Sequence, residues 1–98
     1  MKSILTDDNE HCFLCWLIHK RLVPKECEHH IYFGPLRKIS ERMGFKIPSC
    51  NKHHNMSDEA VHFNRELDLM LKGMCQKKFE ETYSREEFMK LIGRNYLD

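Results

Sequence analysis

The chain has 98 residues, with 16 lysines and arginines against 15 aspartates and glutamates, which gives a formal net charge of +1. A chain of this length forms one domain that buries roughly 60–65% of its unfolded surface, so its hydrophobic core is modest. The near-neutral charge provides no overall field that would mark a nucleic-acid binder, and no apolar run is long enough to span a membrane. The first residues also lack the apolar core of a signal peptide, so we expect a cytoplasmic protein.

The first half of the chain predicts short elements. Residues 1–11 are polar, and we expect a flexible N-terminal segment there, followed by one domain over residues 12–98. The apolar stretch from Phe13 to Val23 is either a short helix or a knuckle that leads into a strand, and its periodicity does not decide. Beyond a turn, the residues from Glu26 to Phe33 end in three β-forming residues and predict a strand, which Gly34 stops.

The second half predicts helices. Leu36 to Met43 follows a proline and precedes Gly44, which is the pattern of a helix with a left-handed glycine cap. After a short extended piece, Ser57 can cap a helix that an apolar stripe continues to about Glu81. Ser84 and Glu87 then form a capping box for a last helix that covers Arg85 to Ile92.

Two close pairs of metal-ligating residues are present: Cys12 with Cys15, and Cys50 with His53. Two such pairs, each on a tight turn, are typical of a structural zinc site. Five cysteines, an odd number, agree better with thiolates for metal than with disulfides in a reducing compartment. Cys27 is the alternative to His53 as the fourth ligand.

Four further histidines favour a second metal site. His29 and His30 are neighbours on the predicted strand, so their side chains point to opposite faces. One of them can hold a metal while the other activates water. His54 and His62 lie near the start of the next helix and can supply two more imidazoles. A catalytic metal needs ligands that leave some coordination positions open, and three imidazoles would do so. A divalent ion held in this way can promote the hydrolysis of a phosphodiester bond.

These motifs together resemble the HNH endonucleases, also called His-Me finger or ββα-metal nucleases, in their small zinc-containing phage and prophage form. The resemblance covers about residues 12–97. The matching segments are Cys12-x-x-Cys15, Glu28-His29-His30-Ile31, Arg37 to Gly44, Cys50-x-x-His53-His54, Val61-His62-x-Asn64, and the tail from Phe88 to Leu97.

The resemblance implies an α+β fold: a small single domain with a ββα-metal core, a structural zinc and added C-terminal helices. It implies a metal-dependent DNA endonuclease, a phosphodiester hydrolase whose catalytic divalent metal is Mg²⁺, Mn²⁺ or similar. His30 matches the general base. The structural zinc ligands would be Cys12, Cys15, Cys50 and His53, and the catalytic metal ligands would be His29, His54 and His62. Many relatives have the last ligand at the position of Asp58, so Asp58 competes with His62.

One departure from the family pattern is Phe45, which stands where relatives have an asparagine that orients the base. Asn51, Asn55, Asn64 or a backbone carbonyl would have to replace it. The alternative function is therefore a non-catalytic zinc-stabilised module that binds nucleic acid or a host protein, as a phage accessory or inhibitor protein.

Basic residues beside the histidines are candidates for phosphate contacts, namely Arg37, Lys38 and Arg42. As partners we expect DNA and a phage or host DNA-processing protein, but no membrane. The resemblance places the protein in the cytoplasm of a bacterial host.

Overall fold

The structure is a computed structural model that describes residues 2–56 and 64–98. It is a small compact α+β protein with a radius of gyration of 12.8 Å. The elements are α1 (Phe13–His19), β1 (Cys27–His30), α2 (Arg37–Met43), β2 (Lys46–Ser49), α3 (Arg65–Glu80) and α4 (Arg85–Ile92), with a 3-10 turn at Gly34–Leu36 and a π-helical segment at Lys52–Met56.

The two strands form an antiparallel pair in which His29 lies opposite Ile47 and His30 lies opposite Lys46. The predicted first strand was too long, because β1 ends at His30 rather than Phe33. The Oγ atom of Ser40 explains the early end. It accepts a hydrogen bond from the Tyr32 backbone N–H at 3.1 Å and donates one to the Tyr32 carbonyl at 2.6 Å. A side chain thus satisfies the backbone groups that a longer strand would have paired.

The stretch after Cys12 is a helix, which settles the alternative that periodicity left open. Cys12 is the N-cap of α1, and its Sγ atom accepts a hydrogen bond from the Cys15 N–H at 3.4 Å. The predicted glycine cap is also confirmed, since Gly44 ends α2 at a φ of 75°.

The last two helices begin and end close to their predicted positions, except at the start of α3. α4 has the predicted capping box between Ser84 and Glu87 and ends at Gly93. α3 ends at Glu80, close to the predicted position, but it begins at Arg65. Asn64 has extended backbone angles and caps α3 through the Leu67 N–H, so the predicted helix does not run through it unbroken. The proposed cap Ser57 lies outside the described residues.

A cluster of aromatic rings forms the centre of the core and joins α3 and α4 to the end of the sheet. Tyr32 and Phe45 lie with ring centroids 5.4 Å apart, and Phe45 lies 5.6 Å from Phe79. Phe88 of α4 contacts both Tyr32 and Phe79, at 5.6 and 5.8 Å. All four side chains are buried.

Residues near both ends of the N-terminal segment make backbone hydrogen bonds with the rest of the protein. Ile4 donates its backbone N–H to the Gly44 carbonyl at 3.0 Å, and the Glu10 carbonyl accepts from the Lys25 N–H at 2.8 Å. The division into a flexible segment over 1–11 and a domain over 12–98 stays a prediction. Over residues 2–56 and 64–98, no helix has the length and apolar character required to cross a membrane.

Candidate functional site

The two predicted ligand pairs come together at one end of the sheet. Cys12 and Cys15 lie at the start of α1, Cys50 directly follows β2, and His53 lies in the π-helical segment. The loops are held together by backbone bonds from the Cys12 N–H to the Val23 carbonyl and from Glu26 to Ser49. All four ligand side chains are buried, and their ligand atoms all lie within 4.8 Å of one another.

The distances within this cluster fit a tetrahedral ion. A zinc ion with Zn–S bonds of about 2.3 Å and Zn–N bonds of about 2.0 Å separates sulfur from nitrogen by about 3.5 Å and sulfur from sulfur by about 3.8 Å. The Nδ1 atom of His53 lies 3.3 Å from the sulfurs of Cys15 and Cys50 and 3.7 Å from that of Cys12. The sulfurs of Cys15 and Cys50 are 3.6 Å apart. The cluster is compatible with a structural zinc site.

The electrostatics of the cluster also favour a cation. Burial, followed by the neighbouring sulfurs, raises the pKa of the Cys15 thiol to about 12. Burial acts in the same direction on Cys12, but hydrogen bonds with Cys15 and Cys50 outweigh it and lower the pKa of that thiol. Thiols this close do not ionise together without a compensating positive charge, and a bound metal ion supplies that charge.

The two remaining cysteines lie outside this cluster. Cys27, the alternative fourth ligand, points its Sγ atom at the Ser49 carbonyl, 3.6 Å away. Cys75 is fully buried in α3, and burial raises the pKa of its thiol to about 12.

The second group of predicted residues borders a cleft of about 270 Å³, lined by Glu28, His29, His30, Phe33, Arg37 and His54. His29 is buried, with 1% of its surface exposed, and the centroid of its ring lies 5.5 Å from that of His54. The chain therefore brings together two of the three predicted ligands of the catalytic metal. His62 and its competitor Asp58 lie outside the described residues.

His30 lies beside a carboxylate that the sequence reasoning missed. Its Nε2 atom is 2.7 Å from Oε2 of Glu41, in α2. Hydrogen bonds from His30 and then Lys46 lower the pKa of the Glu41 carboxyl to about 2. Lys46 binds Glu41 at 3.0 Å and Glu28 at 3.2 Å. The one signal in the sequence was that Glu41 lies in the segment from Arg37 to Gly44, which formed part of the proposed resemblance to HNH nucleases.

The asparagines proposed as substitutes for the missing one have other partners where their side chains are described. The Asn51 side chain binds Glu26 at 3.2 Å, and the Asn64 side chain caps α3. Phe45 itself lies in the aromatic core. Among the side chains that the structure describes, the hydrogen-bond partner of the His30 ring is thus Glu41.

The predicted phosphate-binding residues are exposed and lie on α2. Arg37 lines the histidine cleft, and with Lys38 it lines a second opening beside Glu28, His30 and Glu41. Arg42 lies in the last turn of α2.

Comparison of the chain with protein-family models, with curated proteins and with solved structures returns no match.

Proposed function

We propose that this protein is a metal-dependent endonuclease of the HNH type that hydrolyses phosphodiester bonds in DNA. The observation that carries the proposal is the cleft at which the rings of His29 and His54 meet while His30, beside them, is held by a carboxylate. Imidazoles that converge on one cleft, one of them beside a carboxylate, are the arrangement expected of a metal-dependent catalytic site.

The structural zinc in this account is held by Cys12, Cys15, Cys50 and His53. It fixes the start of α1 to the end of β2, and through that strand it fixes the position of β1. A chain with so small a core gains much of its stability from such an ion.

A catalytic divalent ion would be held by His29 and His54, with a third ligand from His62 or Asp58. Two imidazoles that share one ion through bonds of about 2.1 Å have ring centres roughly 4.6 to 5.6 Å apart. The observed separation of 5.5 Å fits this range. When bound, such an ion polarises the phosphate and stabilises the departing 3′-oxygen.

His30 acts as the general base. Its Nε2 atom is engaged by Glu41, so Nδ1 is the nitrogen that accepts a proton from water. The water oxygen forms a bond to phosphorus as the bond from phosphorus to the 3′-oxygen breaks. The products are a 5′-phosphate and a 3′-hydroxyl, whose oxygen takes its proton from solvent. Histidine is the side chain that most often serves as a general base in enzymes.

The cationic side chains of Arg37, Lys38 and Arg42 position the DNA backbone beside the cleft. Contacts of this kind give affinity that salt weakens, and they carry no base information. We therefore expect nicking with little intrinsic sequence preference, with specificity supplied by a phage or host DNA-processing protein.

The test is a nicking assay on supercoiled plasmid with Mg²⁺, Mn²⁺ or EDTA, on protein whose bound zinc has been counted. The variants are His30→Ala and, as the matched control, His11→Ala, whose imidazole pairs with Asp8 at 2.9 Å. We expect metal-dependent nicking that falls by about 100-fold or more in His30→Ala and persists in His11→Ala. No cleavage by folded, zinc-loaded protein with any metal would leave the non-catalytic binding module as the function.

A further inference from the structure

We propose that Glu41 is the positioning residue of the nuclease site, holding the His30 ring in the tautomer and orientation that a general base needs. This inference rests on the proposed function, and it assigns to a carboxylate on α2 the role that an asparagine would have at position 45.

The contact between the two side chains is short, and the imidazole side of it is largely buried. Nε2 of His30 lies 2.7 Å from Oε2 of Glu41, and the His30 side chain is 13% exposed. The other oxygen of Glu41 accepts a hydrogen bond from Lys46 at 3.0 Å. Because each carboxylate oxygen has its own donor, rotation of the Glu41 carboxyl group would break both hydrogen bonds. The Glu41 carboxylate is thus itself fixed, and it sets the orientation of the His30 imidazole.

The backbone on either side of this contact is also fixed. Ser40, the neighbour of Glu41, binds both backbone groups of Tyr32, two residues after His30. The Phe45 N–H donates to the Ser40 carbonyl at 2.9 Å, and the Ile31 N–H donates to the Phe45 carbonyl at 2.8 Å. These bonds join the first strand to α2 and set the distance between His30 and Glu41.

The chemical consequence concerns the two ring nitrogens. A carboxylate accepts hydrogen bonds and does not donate them, so it stabilises the tautomer with hydrogen on Nε2. Nδ1 then carries the lone pair that takes a proton from water. After that transfer the ring is positively charged, and the negative charge of Glu41 stabilises it as the aspartate of a Ser-His-Asp triad stabilises its histidine.

The surroundings of Glu41 allow its effect on His30 to be tested separately from any effect on folding. Lys46 binds Glu28 as well as Glu41, so removal of Glu41 leaves the lysine with a partner. Glu41 is also half exposed, with 52% of its side chain accessible, and its loss opens no cavity in the core. We therefore expect Glu41 variants to fold and to keep zinc.

The first experiment reads the tautomer directly and needs no cleavage. Long-range ¹H–¹⁵N NMR spectra of zinc-loaded wild type, Glu41→Gln and Glu41→Ala report which nitrogen of His30 carries hydrogen. We expect hydrogen on Nε2 in wild type and in Glu41→Gln, whose amide oxygen can accept the same bond, and a mixture in Glu41→Ala. An unchanged tautomer in Glu41→Ala would overturn the inference.

The second experiment is steady-state nicking by the same proteins, with Glu81→Ala as the control for loss of an exposed, ion-paired glutamate. Glu41→Ala should lose about 10- to 100-fold in kcat with KM within about twofold, and Glu41→Gln should recover part of the loss. Equal kcat in all variants, or a loss that follows lost zinc or a lowered melting temperature, would contradict the role. If wild type does not cut, the nuclease proposal fails while the NMR result still decides whether Glu41 orients His30.

Discussion

The ring of Phe45 stands edge-on to the ring of Tyr32, with centroids 5.4 Å apart and ring planes at 78°. Phe45 is fully buried, and it also contacts Phe79 and Phe88. The position at which the HNH pattern has an asparagine is therefore part of the hydrophobic core of this protein.

This packing predicts the effect of placing an asparagine at position 45. We expect Phe45→Asn to lower the free energy of unfolding by about 3–5 kcal/mol, since it leaves a cavity and buries an amide. Denaturant unfolding measures the change. Phe45→Leu is the apolar control and should cost less than Phe45→Asn. A Phe45→Asn protein as stable as wild type, or more active, would show that position 45 belongs to the site after all.

Several features of this site were predictable because they depend on local spacing. Two residues between Cys12 and Cys15, and between Cys50 and His53, are enough to form a turn that directs both ligands inward. The glycine cap at Gly44 follows equally from local conformation.

The partner of His30 was not predictable in the same way. The contact with Glu41 spans 11 residues and depends on how α2 docks on the sheet, which the Ser40 side chain determines through Tyr32. The HNH pattern predicts an amide in this role, whereas any hydrogen-bond acceptor at the right place can hold an imidazole. The early end of β1 was missed for the same reason, since the hydrogen bonds that replace the strand come from a serine distant in sequence.

The metal cluster predicts a contrast between two cysteine variants. Cys50→Ser should lose the zinc and with it most of the cooperative unfolding transition, because a structural zinc ion contributes on the order of 10 kcal/mol in small zinc domains. Cys27→Ser should keep about one zinc per chain, since the Cys27 thiol faces the Ser49 carbonyl. Metal analysis and thermal unfolding test both. Zinc loss in Cys27→Ser with retention in Cys50→Ser would refute the assigned ligands.

Burial predicts that Cys75 is unreactive in the folded protein. Its thiol pKa is raised to about 12 by burial, so thiol is the dominant form at pH 8 and access is blocked. Iodoacetamide followed by mass spectrometry should label Cys27 before Cys75.

The raised pKa of the Cys75 thiol also affects stability. The free energy of unfolding should fall as pH rises above about 9, because the unfolded thiol then ionises and the folded one does not. Cys75→Ala should reduce that loss; rapid labelling of Cys75 at pH 8 would contradict its burial.

The glycines that end α2 and α4 allow a controlled comparison of two alanine substitutions. Gly44 and Gly93 both end helices at positive φ, 75° and 84°. A Cβ atom at position 44 would lie 2.3 Å from the Lys2 carbonyl oxygen, whereas one at position 93 meets nothing within 4 Å. Gly93→Ala should cost about 1–2 kcal/mol in unfolding free energy, from backbone strain alone.

The clash with Lys2 should make Gly44→Ala more costly than Gly93→Ala. Removal of residues 1–4 should bring the two costs together, because the obstructing carbonyl is then gone. Denaturant unfolding of both variants, with and without the truncation, gives the comparison. Equal costs in the full-length chain would mean that the N-terminal segment moves aside freely, as the expectation of a flexible segment implies.

The measurement that tests the central claim most directly is the binding of a second, labile divalent ion to zinc-loaded protein. Titration with Mn²⁺, followed by electron paramagnetic resonance, should find one site beyond the zinc. Binding should weaken at least about tenfold in His29→Ala and in His54→Ala and be unchanged in His11→Ala. If zinc-loaded wild type binds no second ion, or if His29→Ala and His54→Ala bind it as tightly as wild type does, the catalytic metal site is not there and the nuclease account is wrong.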